Sequence, residues 1–169
     1  MTDTATGGRP VVVVVDEQSE VVLDLPRWQR LAVASLETSG VREGELNLLF
    51  VDESVMTELN RDHMGEDRPT DVLSFPLDGI DDDPFGDDLL AGRLIGDIVV
   101  CPVYAQRQAP DHLGERDHNG SIEDELALLI VHGVLHILGH DHAEPDETAR
   151  MQEEELVLLH AHHRGGEVS

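Results

Sequence analysis

The segment "HGVLHILGHDH", residues 132 to 142, constrains this chain more than any other stretch. The residues before and within it (Leu126, Leu128, Leu129, Ile130, Val131, Val134, Leu135, Ile137 and Leu138) are apolar on nearly every side of a helix. A helix of that kind is normally buried. His132 and His136 sit in it four residues apart, one above the other on one face. Two buried imidazoles without partners would cost about 1–3 kcal/mol each. Bonds to core carbonyls would satisfy the pair, and so would one divalent ion. The residues that follow favour the ion. Gly139 suits the left-handed turn after a helix, and three residues on His142 returns toward the same place. The pattern H-x3-H-x2-G-x2-H supplies three neutral nitrogen ligands and leaves a fourth position for water, the catalytic form of a zinc site. The expectation is one zinc per chain on His132, His136 and His142.

This spacing resembles HExxHxxGxxH of the metzincin proteases, except that Gly133 stands where they carry the glutamate base. A mid-helix glycine costs about 1 kcal/mol against alanine. Either space is wanted beside the metal, or the helix packs closely on a neighbour. Without the base, a peptidase reading fails. Asp141 would orient a ligand imidazole or simply form the turn. His160, His162 and His163 read as a frayed, solvated helix end, able at most to pick up stray metal.

The rest of the chain suits one domain over residues 1–169, with 1–10 and 164–169 loose. Val11 to Val15 reads as a strand, and a helix with Pro26 in its first turn runs on to Gly40. Strand Glu45 to Val51 follows, then a helix capped by Asp52 or Ser54. A strand from Asp71 to Pro76 precedes a long acidic loop over residues 77–93. "LIGDIVVCP" is a fourth strand, followed by a short helix near residues 103–108 and a polar loop over residues 111–120. Ser121 opens the histidine helix, with Asp124 in capping-box register, and a last helix follows Pro145. Strands interleaved with helices predict an α/β or α+β layer with a small mixed sheet.

Composition narrows the function. The net charge of −25 includes 11 basic side chains, all arginine, against 36 carboxylates. It makes a solvated acidic surface and disfavours nucleic acid in general, although a metal or a local arginine cluster still binds phosphate. A single cysteine, Cys101, forbids an internal disulfide, in keeping with a reducing cytoplasm. No window is apolar enough to span a bilayer.

Three linked blocks resemble the YbeY family of bacterial rRNA-maturation endoribonucleases. They are "RPTDVLSFP" at Arg68 to Pro76, "GDIVVCP" with "YAQRQA" from Gly96, and "ELALLIVHGVLHILGHDHAEPDE". The resemblance implies a zincin-like α+β fold, a mixed four-stranded sheet beside a central, buried zinc-ligand helix, and zinc on His132, His136 and His142. It also implies that Thr70, Asp71 and Ser74 flank the metal cleft, unless they serve only as turn, cap and strand residues. Many members carry a basic residue in N-x-x-Y-R upstream; here His63 and Met64 occupy the Tyr-Arg places. Arg61 and Arg68 flank the gap and would replace that phosphate contact, or are plain surface arginines.

The implied activity is zinc-dependent, single-strand-specific cleavage of RNA in the maturation of rRNA ends and late 70S ribosome quality control. Small-subunit ribosomal proteins and a ribosome-associated GTPase are the implied partners, with no membrane. Three neutral ligands leave the ion its full charge for an anionic phosphodiester. The nucleophile, water or the adjacent ribose 2′-OH, stays open, and no catalytic base is assigned. The competing readings are a non-catalytic, zinc-stabilised ribosome-assembly factor and a zinc hydrolase of another substrate.

Overall fold

A computed structural model describes residues 9–76, 94–139 and 145–164, with Arg116 and Arg164 described by backbone alone. The acidic loop over residues 77–93 lies outside the described residues. Four strands, β1 (Pro10–Asp16), β2 (Gly44–Phe50), β3 (Val72–Pro76) and β4 (Leu94–Val100), form one sheet in the order β1-β2-β4-β3. The first three in that order run parallel, and β3 pairs antiparallel to β4 with Ser74 opposite Ile98. β1 begins at Pro10, inside the segment read as loose; residues 1–8 and 165–169 are outside the described part.

The sheet's two faces are covered unequally. Period-two alternation sends Val12, Leu46, Leu48, Phe50, Ile98 and Val100 to the larger core. Against them packs α1 (Leu25–Thr38), whose buried Trp28, Leu31, Ala32, Ser35 and Leu36 follow the spacing of an amphipathic stripe. Asp24 caps it by accepting the Arg27 N–H, and Pro26 sits in the first turn. The opposite face is smaller: Val51, Leu73, Val99 and Cys101 gather with Met56 of α2 (Glu53–Met64) and Tyr104 of α3 (Pro102–Gln108). Asp52, not Ser54, caps α2.

The histidine helix is α4 (Ile122–Ile137), and it lies at the centre of the larger core. Ser121 caps it by accepting the Asp124 N–H at 3.1 Å. The Asp124 carboxylate departs from a capping box, because it takes the N–H of Asn119 instead. Gly139, at φ +101°, makes the expected left-handed turn at the helix's end. Each fully buried Leu or Ile of such a helix stabilises the fold by about 1.5–3 kcal/mol. α5 (Pro145–Leu159) then crosses α4 with Met151, Leu158 and Leu159 buried, and a π-helical turn, His160–Arg164, closes the described chain.

Gly133 has a packing reason. A Cβ there would lie 2.9 Å from Ile98 Cγ2 and 3.1 Å from its Cδ1, so α4 rides directly on β4 at this point. On β4, a Cβ at Gly96 would lie 2.8 Å from both Ile137 Cδ1 and the Phe75 carbonyl. Of the two readings of Gly133, close packing of the helix on a neighbour is the one this geometry bears out. Its bare Cα lets the histidine helix sit low on the sheet, next to β3.

Candidate metal centre

His132 and His136 are half-buried on α4, with ring centroids 6.3 Å apart and planes tilted by 42°. His142 and Asp141 lie outside the described residues. The two described imidazoles fit a metal by their hydrogen bonding as well as their spacing. Glu155, on α5 and 2% exposed, places Oε2 2.6 Å from His132 Nδ1. An ionised carboxylate only accepts, so Nδ1 carries the proton, and in the neutral ring the lone pair falls on Nε2, the form a metal ligand needs. The Coulomb attraction between Glu155 and a cation beyond the ring works in the same direction.

Sequence reasoning missed Glu155. It lies 23 residues from His132 and reads locally as one more carboxylate in "MQEEELV". The one available signal was its place on the apolar stripe of the last helix, with Met151, Leu158 and Leu159.

A second group was also missed. Glu125, fully buried on α4 two turns before His132, accepts from three side chains. His112 Nδ1 and His118 Nε2 donate to its Oε1 at 2.7 and 2.9 Å, and Gln108 Nε2 donates to its Oε2 at 2.7 Å. One ligand atom each from His112, His118 and Glu125 lie within 4.8 Å of one another, a spacing at which a metal ion could be held. The protons point to another use. The His118 Nδ1 accepts the Gly120 N–H at 2.9 Å, so Nε2 bears the proton that goes to Glu125. To take an ion at Nε2, His118 would have to protonate the nitrogen that faces that N–H. As built, the trio is a satisfied buried carboxylate. The His112 imidazole titrates above its ordinary range, first because of the hydrogen bond to Glu125 and, less, because of the charges of Glu125, Glu115 and Asp71; partial burial opposes the shift.

The same network absorbs part of the "RPTDVLSFP" block. Asp71 Oδ2 accepts from Gln108 at 2.7 Å, while its Oδ1 takes the Val72 N–H and the Thr70 hydroxyl. Thr70 and Asp71 thus open β3 and tie it to α3. Ser74 shares its strand face with Val72, which packs in the α4 core, so alternation brings Ser74 to the histidine side. Arg61 and Arg68 are exposed and held within their own segment, Arg61 by Asp62 and Asp67 and Arg68 by Glu66.

The C-terminal histidines need correcting. His160 is exposed, but His162 bonds Thr38, and His163 is 8% exposed with Nε2 donating to Asp124 at 2.8 Å. This helix end is docked on α1 and α4, because Asp124 offers a buried acceptor that no local pattern reveals.

Comparison with known proteins agrees with this architecture. The endoribonuclease YbeY family model matches residues 14–163. An endoribonuclease YbeY of Beutenbergia cavernae is 43% identical over 150 residues, covering 86% of this chain and 93% of that protein. One of Salinispora tropica is 49% identical over 129 residues, covering 72% and 78%. The solution structure of TM1509 from Thermotoga maritima superposes with a TM-score of 0.54 at 26% identity, covering 92% of this chain and 93% of that one. Among the described residues, no helix is long and apolar enough to cross a membrane.

Proposed function

This chain belongs to the endoribonuclease YbeY family, and on that premise we propose that it is a zinc-dependent, single-strand-specific endoribonuclease acting in the cytoplasm on rRNA ends. Family membership supports hydrolysis of RNA phosphodiester bonds by a metal-dependent route. The observation that carries the metal reading is the Glu155–His132 bond, since a buried carboxylate behind a half-exposed imidazole is how metal ligands are oriented. His132, His136 and His142 would hold one ion per chain, with Asp141 beside them. Bound there, a divalent cation would stabilise charge on the scissile phosphate and acidify a water. The protein's own part is to fix the His132 tautomer, to keep the ligand helix pressed on β4 through Gly133, and to present Ser74 along the strand beside it.

Work on rRNA within late ribosome quality control would bring contact with small-subunit proteins and a ribosome-associated GTPase. An acidic surface of net charge −25 is suited to docking basic ribosomal proteins. We read the whole chain as a single domain. The deciding experiment is cleavage of single-stranded RNA by purified protein, with and without chelator, alongside His136→Ala. Loss of cleavage in both cases is expected. Cleavage equal in all samples would mean a contaminating nuclease and put the non-catalytic assembly-factor reading ahead.

A further inference from the structure

Among the described residues, the acidic surface is interrupted beside α1. A cavity of about 420 Å³ lies between the first turns of α1 and the π-helical turn, and its polar wall is made of Arg27, Arg30, His162 and His163, with Trp28 beside them. No carboxylate among the described residues lines it, although the chain carries 36. The contrast with a second cavity, about 610 Å³, is sharp: Asp16, Glu17, Glu20, Asp52 and Glu53 line that one.

The arginines of the first cavity are also uncommitted. Arg9, Arg61, Arg68 and Arg107 are each paired with a carboxylate, the last with Glu53. Among the described residues, neither Arg27 nor Arg30 has such a partner. Arg27 is nonetheless held in place. Its guanidinium carbon lies 4.8 Å from the centroid of the Trp28 ring, and one of its amino groups donates to His163 Nδ1 at 3.2 Å. His163 is anchored in turn, because its Nε2–H goes to Asp124. That carboxylate is buried behind the histidine and also takes the Asn119 N–H, so its charge is engaged away from the cavity. What faces the cavity is a guanidinium fixed by stacking and one hydrogen bond, a second arginine one turn on, and an imidazole. Preorganised guanidinium donors with local positive charge suit phosphate oxygens.

We propose that this cavity is a phosphate-binding site, remote from the histidine pair, that takes the backbone of an RNA strand or the phosphate of a free nucleotide. The proposal does not depend on which metal is bound or which residues hold it. In so acidic a molecule, a cationic pocket gives an anionic strand a place to anchor against the general repulsion of the surface.

Trp28 is the only tryptophan of the chain, so its fluorescence reports on this cavity. The test titrates the full-length protein with inorganic phosphate, adenosine monophosphate and a 2′-O-methylated oligoribonucleotide of about eight residues, a length within the range that single-strand binding sites cover. A saturable change in Trp28 emission is expected, at least tenfold weaker in Arg30→Gln and largely restored in Arg30→Lys. Among the described residues, the Arg30 side chain makes no hydrogen bond, so Arg30→Gln should keep the parent's melting temperature. Replacing both Arg27 and Arg30 by Gln should flatten the logarithmic salt dependence of oligonucleotide binding by about 1.4, the value for two phosphates on a single strand. Oligonucleotide binding more than tenfold tighter than that of the mononucleotide assigns the site to an RNA strand, and equal affinities assign it to free nucleotides. Unchanged emission with all three ligands, or equal binding by the parent and Arg30→Gln, overturns the proposal.

Discussion

Glu155 does at the residue scale what a metal site asks of its surroundings. It accepts the His132 Nδ1 proton from a place 2% exposed, so a ring flip or a change of tautomer would break a hydrogen bond to a buried carboxylate. If His132 is a ligand, Glu155→Gln should weaken zinc binding 10- to 100-fold while leaving one site per chain at saturation. Competition against a chromogenic chelator measures this, and an unchanged affinity would remove Glu155 from the site. His112 makes a second prediction. Its folded-state titration is raised by Glu125, so the stability it contributes is fully present below the ordinary histidine value, about 6.5. That contribution fades as the pH climbs through the raised value. The stability difference between the parent and His112→Asn in urea should therefore shrink on going from acid to alkaline pH. A constant difference would show that the imidazolium–carboxylate bond contributes nothing.

The element that decides the site's position is α4, and Gly133 decides how α4 sits. Adding one methyl there gains about 1 kcal/mol of helix propensity. It also drives a Cβ to 2.9 Å from Ile98 Cγ2, inside a strand residue with no exposure. Overpacking of this kind costs about 1–3 kcal/mol, so Gly133→Ala should be net destabilising in urea. Trimming the neighbour should reverse the sign: in an Ile98→Ala background the same change should be neutral or stabilising, a coupling that a double-mutant cycle reads directly. Additive effects would mean that the helix does not rest on β4 at this point. Gly133 thus belongs with Gly96, the matching bare position on β4 under Ile137.

At the scale of the whole molecule, the charge of −25 sets behaviour that no single contact does. Self-repulsion among 36 carboxylates opposes compaction. Salt shortens its range from about 30 Å at 0.01 M to a few ångströms at 1 M. The melting temperature should accordingly rise by several degrees between those limits, measured by circular dichroism, whereas a fall would mean that attractive pairs dominate. Metal content is a second whole-chain measurement. Elemental analysis should give one zinc per parent chain and a large loss in each of His132→Ala, His136→Ala and His142→Ala; full occupancy in all three would refute the assigned ligands.

Sequence alone determined the features that depend on spacing along the chain. The four strands, the cap at Ser121, the turn at Gly139 and the buried helix carrying His132 and His136 follow from periods of two and 3.6 and from local turn chemistry. Asp52 rather than Ser54 as the cap of α2 was decided by the structure. Spacing also pointed to the metal ligands, because i and i+4 share a helix face whatever the tertiary fold. Only the tertiary structure decided who stands behind those residues. Glu155 meets His132 across 23 residues, His163 meets Asp124 across 39, and Gln108 joins Asp71 to Glu125 across 37 and 17. A one-dimensional pattern shows at most that Glu155 sits on the apolar stripe of its helix, and it does not say which imidazole that carboxylate will meet. A buried charge is tolerable only when its partner is delivered by another element, and that delivery is a property of the packed fold.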